Sequence, residues 1–463
     1  MNGYDVVIIG SGPGGYVAAI RAGQLGFRAA VVEKDELGGV CLNRGCIPTK
    51  SIIACTELYG EIQRASDFGI AVSEAKLDLA AIVDRKDQIV KKLSDGVGFL
   101  LKKHKVDVVR GVGWLPAPDR VEITEGPAKG TMMEACNVII ATGSRPATIP
   151  SVDMDGKRIL NSTEILDLRE IPKALLIVGA GYIGMEFACI FNALGTQVTV
   201  VELLPQILPN TDADISNALH KISEKRGVVF HTNSKVKGIE ASEKGVTARV
   251  AGEEGSTEIK ADYALISTGR RCNSADLGLE TYAVKMDGEA IQVDDRMRTS
   301  LRGVYAIGDV TGKIQLAHVA SAQGIVAVED IGGYPSRMSY RAVPSCIFTH
   351  PEVAGVGLTE AEARDQVEDV SIGRFPYSSS GKAMGARHTD GFVKVIADSE
   401  TNEVLGVHVL GHNASEVIAE ATVAVQMEAT VEDLVRVIHT HPTLHEAVKE
   451  AAEDVLGLSV HKG

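Results

Sequence analysis

Cys41 and Cys46 lie in the run Gly38-Gly39-Val40-Cys41-Leu42-Asn43-Arg44-Gly45-Cys46-Ile47-Pro48-Thr49-Lys50. Two thiols at that spacing can exchange electrons as a disulfide pair, or simply pack. In a regular helix five residues rise roughly 7.5 Å, beyond the roughly 7 Å that a relaxed disulfide tolerates. A bridge therefore needs a loop or a distorted first helical turn, and Gly45 and Pro48 supply one, since Gly permits unusual backbone angles and Pro suits a helix start. Cys46 is then expected near a helix N-terminus, where the partial positive charge and Lys50 one turn on favour thiolate over thiol. Two buried, inert cysteines are the plain alternative. Zinc fits less well, because the spacing is not C-x2-C and no second pair with ligand spacing follows; no metal site is expected.

The second chemical motif is His441-Pro442-Thr443-Leu444-His445-Glu446. Pro442 suits the first turn of a helix patterned from Leu444 to Leu456, leaving His441 just outside it with Glu446 in reach. A carboxylate partner orients an imidazole and stabilises its charged form, which is how a histidine becomes a general base. The bland reading is that His439, His441 and His445 are a solvated helix start or a metal cluster.

Both motifs must be positioned by larger elements, and an internal repeat supplies them. Gly10-Ser-Gly12-Pro-Gly14-Gly15 recurs as Gly179-Ala-Gly181-Tyr182-Ile-Gly184, and at the same offset Gly26 maps onto Gly195 and Glu33 onto Glu202. Each glycine cluster follows an apolar run, Val6 to Ile9 or Leu175 to Val178, and opens a helix-patterned segment. That context reads as two Rossmann-like dinucleotide-binding units: the first Gly turns the chain, the second admits a pyrophosphate, the third lets helix and strand pack. Glu33 and Glu202 stand where a carboxylate accepts from ribose hydroxyls and repels a 2′-phosphate. No Lys or Arg lies between Glu202 and Lys221, so the second unit favours NAD over NADP. Each unit closes on a similar strand and turn, Val138 to Ser144 and Leu265 to Arg270, and Gly303 to Asp309 adds a strand ending in a carboxylate. The first unit is longer than the second, and the excess contains the cysteine run, so the thiols belong to the first ligand.

The chain has 463 residues, 45% hydrophobic and 23% charged, which implies several domains of a soluble globular protein. Its net charge of -14 argues against general nucleic-acid binding. The first strand-like run starts at Tyr4 and no apolar stretch reaches membrane-spanning length, so a cytoplasmic protein without a leader is expected. Seven scattered cysteines do not make a disulfide scaffold; Cys55, Cys136, Cys189, Cys272 and Cys346 read as packed or incidental.

Taken together, the two fingerprints, the cysteine run, the Ala-Thr-Gly and Gly-Asp turns and the C-terminal His-Pro motif resemble the flavin disulfide reductases, the class I pyridine nucleotide-disulfide oxidoreductases, over essentially the whole length. The chain is most similar to their dihydrolipoamide-oxidising branch. The resemblance implies an α/β chain of two dinucleotide-binding domains, 1–149 for FAD and 150–270 for NAD, a central domain, 271–343, and a C-terminal α+β dimerisation domain, 344–463. Residues carried over are Gly10, Gly12, Gly15, Glu33, Lys50, Gly113, Thr142, Gly143, Ser144, Asp309 and Ala317 for FAD. For NAD they are Gly179, Gly181, Tyr182, Gly184, Glu202, Val236 and Gly269, with Tyr182 similar to an aromatic gate and Glu186 to the acid that pairs with Lys50. Cys41 and Cys46 become the redox disulfide, and His441 with Glu446 the base, acting on the other subunit of a homodimer. The implied partners are lipoyl-bearing subunits of 2-oxo acid dehydrogenase or glycine cleavage complexes. Val40, Cys272 and Gln323 depart from the family's usual Thr, Pro and acid, and touch no proposed catalytic group. Glutathione or mercuric reductases fit less well, for want of a basic pair after Glu202 and of a cysteine beyond Cys346. A flavin redox sensor would leave the base motif unexplained.

Overall fold

In the computed structural model, which describes residues 3–253 and 255–462, the chain folds as two compact units. One gathers Met1–Ala147, Ser162–Glu170 and Gly269–Ser339; the other gathers Thr148–Asn161, Ile171–Thr268 and Tyr340–Gly463.

The first unit is built on the strand Tyr4–Ile9, whose apolar run Val6 to Ile9 is buried on both faces, as a central parallel strand must be. Parallel strands Ala29–Glu33 and Asp107–Arg110 lie on one side of it, and Met132–Ile140 and Val304–Ala306 on the other. Strand order thus reverses between Tyr4–Ile9 and Met132–Ile140, the switch point at which open α/β sheets bind ligands. Helices Pro13–Gln24 and Ala317–Ile331 pack closely, and a Cβ on Gly324 would lie 2.6 Å from the Gly14 carbonyl oxygen.

The second unit repeats the plan with strands in the order Val229–His231, Gln197–Val201, Ala174–Val178, Tyr263–Ile266 and Ile159–Leu160, all parallel. A three-stranded antiparallel sheet, Lys235–Ser242, Gly245–Gly252 and Gly255–Ala261, packs onto it through Val236, Ala248 and Val250. The same unit holds a five-stranded sheet in the order Ser345–Ile347, Glu352–Gly357, Val404–Gly411, Phe392–Asp398 and Val370–Pro376, antiparallel throughout. Val393, Val395, Val407 and Val409 face helices Ala414–Gln426 and Glu446–Val455 in a closed core, the α+β arrangement expected of this segment.

Lys394, 1% exposed, spans the N-terminus of helix Ala213–Lys225 and the five-stranded sheet. Its ammonium lies 2.9 Å from Asp212, 2.6 Å from Asp214 and 2.7 Å from Glu360. Against the burial of Asp212, that cation holds its carboxyl below the usual carboxylate range. Among the described residues no helix is long and apolar enough to cross a membrane.

Candidate active site

The two glycine fingerprints are stereochemical copies. Gly10 and Gly179 both have φ +101, and a Cβ on Gly15 or Gly184 would lie 1.9 Å from the carbonyl oxygen of Gly10 or Gly179 respectively, so neither position takes a side chain. At Gly12 and Gly181 a Cβ would meet nothing within 4 Å. The second glycine of each turn thus faces open space, ahead of helices Pro13–Gln24 and Tyr182–Ala193 whose N-termini no side chain caps. Both turns suit a dinucleotide's diphosphate.

Glu33 and Glu202 carry a local duty that spacing did not reveal. Glu33 Oε2 accepts from Ser11 N at 2.8 Å and Ser11 Oγ at 2.6 Å, and its Oε1 accepts from Asp35 N at 2.8 Å. Glu202 Oε2 accepts from Ala180 N at 2.6 Å and Oε1 from Leu204 N at 2.9 Å. Both buried carboxylates tie the strand end to its glycine turn.

The cysteine run forms two helices, Gly39–Arg44 and Cys46–Gln63, broken at Gly45 with φ -143 and ψ -109. The break is the distortion that a Cys41–Cys46 bridge requires. A Cβ on Gly45 would press to 3.1 Å from the Val40 carbonyl oxygen, so the turn is tight enough to bring the second helix back toward the first. Gly39 seats the run on the first fingerprint, since a Cβ there would lie 2.5 Å from Gly12 Cα. Thr49 Oγ1 donates to Gly45 O at 2.7 Å and steadies the first turn of the second helix. Cys41 and Cys46 are both thiols, linked by a side-chain hydrogen bond. That bond, together with burial and the charge of Cys46, pushes the Cys41 thiol well up, while Lys50 opposes the shift.

Ser144 and Asp309, expected at the first ligand, meet: Ser144 Oγ donates to Asp309 Oδ2. Arg270 was not anticipated. Its buried guanidinium donates to Ser144 Oγ at 2.7 Å and Ser144 O at 2.8 Å and lies 3.9 Å from Asp309. Burial lowers its pKa, opposed by the charges of Asp309 and Cys46. The only sequence signal for it was its place after Gly269. Thr142 Oγ1 donates to Asn273 O at 2.6 Å, beside Gly143 with φ +71. Gly113 packs over Ile9, and Ala317 opens helix Ala317–Ile331. Of the departures, Cys272 donates its thiol to Asp309 O at 3.1 Å and buried Gln323 accepts from Gly308 N at 2.6 Å.

In the second unit Tyr182 opens its helix, and burial raises its phenol. Glu186, buried on the same helix, accepts from Phe348 N at 3.0 Å. Val236 lies in the core beside a register shift, and Gly269, where the chain re-enters the first unit, has φ +116 with open space around it.

The C-terminal motif differs from expectation in one respect: the helix begins at Glu446, so Pro442 lies ahead of it and not in its first turn. A polar turn closes first, with Thr443 Oγ1 donating to Thr440 O at 2.8 Å and Thr443 N to Glu446 Oε2 at 2.8 Å. Glu446 Oε1 faces His441 Nδ1 at 2.9 Å. An ionised carboxylate only accepts, so Nδ1 carries the proton and the lone pair sits on Nε2. Burial works against the charge of Glu446, but the Thr443 N–H and His441 hold its carboxyl below the usual range. The His441 side chain is 80% exposed in the single chain. Among the described residues no group of three His, Cys, Asp or Glu side chains could hold a metal ion.

Residues 4–324 match the model of the pyridine nucleotide-disulphide oxidoreductases, and residues 343–452 match the dimerisation domain of the same family. The chain is 41% identical to a dihydrolipoyl dehydrogenase of Bacillus subtilis, covering 99% of both chains. It is 41% identical to a dihydrolipoyl dehydrogenase of Geobacillus stearothermophilus, covering 99% of this chain and 97% of that one. Its fold matches the crystal structure of LpdA from Mycobacterium tuberculosis with a TM-score of 0.90 at 32% identity, over 97% of this chain and 98% of the other.

Proposed function

This chain belongs to the pyridine nucleotide-disulphide oxidoreductase family, and from that premise we propose its reaction: an FAD-dependent oxidation of dihydrolipoyl groups to lipoyl groups that reduces NAD to NADH. The observation that carries the reading is the hydrogen-bonded Cys41–Cys46 pair, held against the first glycine turn in a chain whose dihydrolipoyl dehydrogenase relatives align over almost its full length.

A free thiol with a pKa near 8.5 is only a few per cent ionised at neutral pH, so a base raises the reactive fraction substantially. His441 takes a proton at Nε2 from one substrate thiol, its Nδ1–H being committed to Glu446. The substrate thiolate attacks Cys41 Sγ of the oxidised pair, the Cys41–Cys46 bond breaks, and Cys46 leaves as thiolate. The second substrate sulfur then attacks the mixed disulfide and passes its proton to the departing Cys41. Cyclic lipoyl disulfide is released, and the protein holds Cys41 as the thiol and Cys46 as the thiolate left by the exchange. Gly10, Gly12 and Gly15 with Ser144 and Asp309 would hold FAD, and Gly179, Gly181 and Gly184 NAD; the flavin would supply the two-electron chemistry that links the dithiol to the nicotinamide.

The other assignments of FAD and NAD residues follow the resemblance, including Lys50 with Glu186 and Tyr182 as a gate. The four-domain division at 149/150, 270/271 and 343/344 is part of the same reading. The dimerisation domain supports a homodimer, and the exposure of His441 supports its service to the partner subunit's dithiol. Dihydrolipoyl chemistry implies lipoyl-bearing proteins of 2-oxo acid dehydrogenase or glycine cleavage complexes as partners, in the cytoplasm. The test is a steady-state assay with NAD and dihydrolipoamide set against oxidised glutathione with NADPH. Turnover only in the first supports the reading, and turnover only in the second overturns it.

A further inference from the structure

The three histidines of the C-terminal motif are held differently. Of residues 436–442, only His439 is not exposed, and its side chain is 6% exposed against 80% for His441. Val437 and Ile438 stand at 49% and 96% in the single chain, so within it this loop is tied down by polar contacts. His439 Nε2 lies 2.7 Å from Glu420 Oε1, and His439 Nδ1 lies 3.1 Å from the Val437 carbonyl oxygen. Glu420 Oε2 in turn lies 3.4 Å from His445 Nδ1. Glu420 projects from helix Ala414–Gln426, which is fixed to the sheet by Val417, Ile418 and Ala421. Both groups facing the His439 ring, the Glu420 carboxylate and the Val437 carbonyl, are hydrogen-bond acceptors. The reaction derived above uses none of Glu420, His439 and His445. The titratable groups about the ring are Glu420, which it bonds, His445 on the other oxygen of that carboxylate, and Glu446.

We propose that Glu420 and His439 are positioning residues for the base: their hydrogen bond pins the loop before the last helix so that His441 meets Glu446 with Nε2 presented to the substrate thiol. Releasing the pin leaves His441 attached to Glu446 yet free to swing with its loop. A displacement of about 1 Å at a reacting atom costs on the order of 100-fold in rate.

The inference rests on the proposed function. Wild-type protein that fails to oxidise dihydrolipoamide would defeat that function, whereas the test below is normalised to wild type and bears on positioning alone. In the FAD-loaded protein, Glu420→Ala is compared with Glu420→Gln, which keeps an acceptor for His439. Two rates are read: NAD-linked dihydrolipoamide oxidation, and NADH-driven reduction of ferricyanide, which needs no thiol base. Expected for Glu420→Ala is a fall of about 10- to 100-fold in kcat for the dithiol, with KM within about threefold and ferricyanide reduction within twofold. Glu420→Gln should recover most of the lost kcat. An unchanged ratio of the two rates, a parallel loss of both, or a Gln variant as slow as Ala overturns the proposal. Should Glu420→Ala fail to assemble, His439→Phe fills the same place without either hydrogen bond, and an unchanged ratio there overturns it too.

Discussion

Replacing Glu446 by Gln tests the base more sharply than deleting it. Glu446 satisfies two donors with two oxygens: Thr443 N at 2.8 Å and His441 Nδ1 at 2.9 Å. Gln offers one oxygen. An unpaired, part-buried backbone N–H costs about 1–3 kcal/mol, so Thr443 keeps the oxygen and the amide NH2 turns toward His441. An imidazole facing a donor must expose its lone pair there, which moves the ring proton from Nδ1 to Nε2 and removes the base from the substrate side. Loss of charge alone would cost about 1 kcal/mol, below the roughly 1.5–3 kcal/mol of a charge-assisted bond because His441 is 80% exposed, or roughly a fivefold drop in rate. The inverted tautomer is the larger effect. The equivalent change in a serine protease triad costs about 10⁴. Glu446→Gln should therefore lower kcat for dihydrolipoamide by at least about 100-fold while ferricyanide reduction by NADH stays near wild type. Steady-state rates across pH check it. A variant that keeps more than about a tenth of the wild-type dithiol kcat refutes the tautomer argument.

Cys41→Ser should abolish dihydrolipoamide turnover while flavin content, read from visible absorbance, is unchanged; retained turnover would displace Cys41 as the attacked sulfur. Gly184→Ala drives a methyl into the Gly179 carbonyl, so NADH affinity should fall at least tenfold with flavin retained, whereas Gly15→Ala should yield protein depleted of flavin; equal loss of both ligands in either variant contradicts separate sites. Lys394→Met strands buried Asp212 and should cost about 3–5 kcal/mol in urea unfolding at pH 7. Asp212 and Glu360 have folded pKa values held below their unfolded values of about 3.9 and 4.3. Their contribution is thus present above that range and lost as pH falls through the folded values, so the penalty of Lys394→Met should shrink toward pH 3. A penalty that grows on acidification would reverse the sign of that linkage.

The duplicated turns were legible because glycines at fixed spacing answer to local backbone demands: positive φ at Gly10 and Gly179, and close approach at Gly15 and Gly184. The break at Gly45 was legible for the same reason. Pairings between distant side chains were not. Arg270 reaches Ser144 across the short antiparallel pair Arg270–Cys272 with Ser144–Pro146, and Glu420 reaches His439 from another helix; nothing in either neighbourhood marks the partner. Glu33 and Glu202 show the intermediate case. Their spacing announced a carboxylate at the strand end, while the turn amides it accepts from became visible only in three dimensions. The late start of the last helix has a similar cause, since Glu446 caps a turn that periodicity cannot see.

The near identity of the two glycine turns bears on how this chain tells its ligands apart. Cradles made of the same backbone atoms in the same conformation cannot discriminate between molecules that share a diphosphate. Selectivity must therefore reside in what was added around a ligand-neutral chassis: the paired helices Gly39–Arg44 and Cys46–Gln63 beside one copy, and the stretch beyond Glu202 beside the other. An engineer wishing to switch the nicotinamide preference should rewrite side chains in that stretch and leave the glycines untouched.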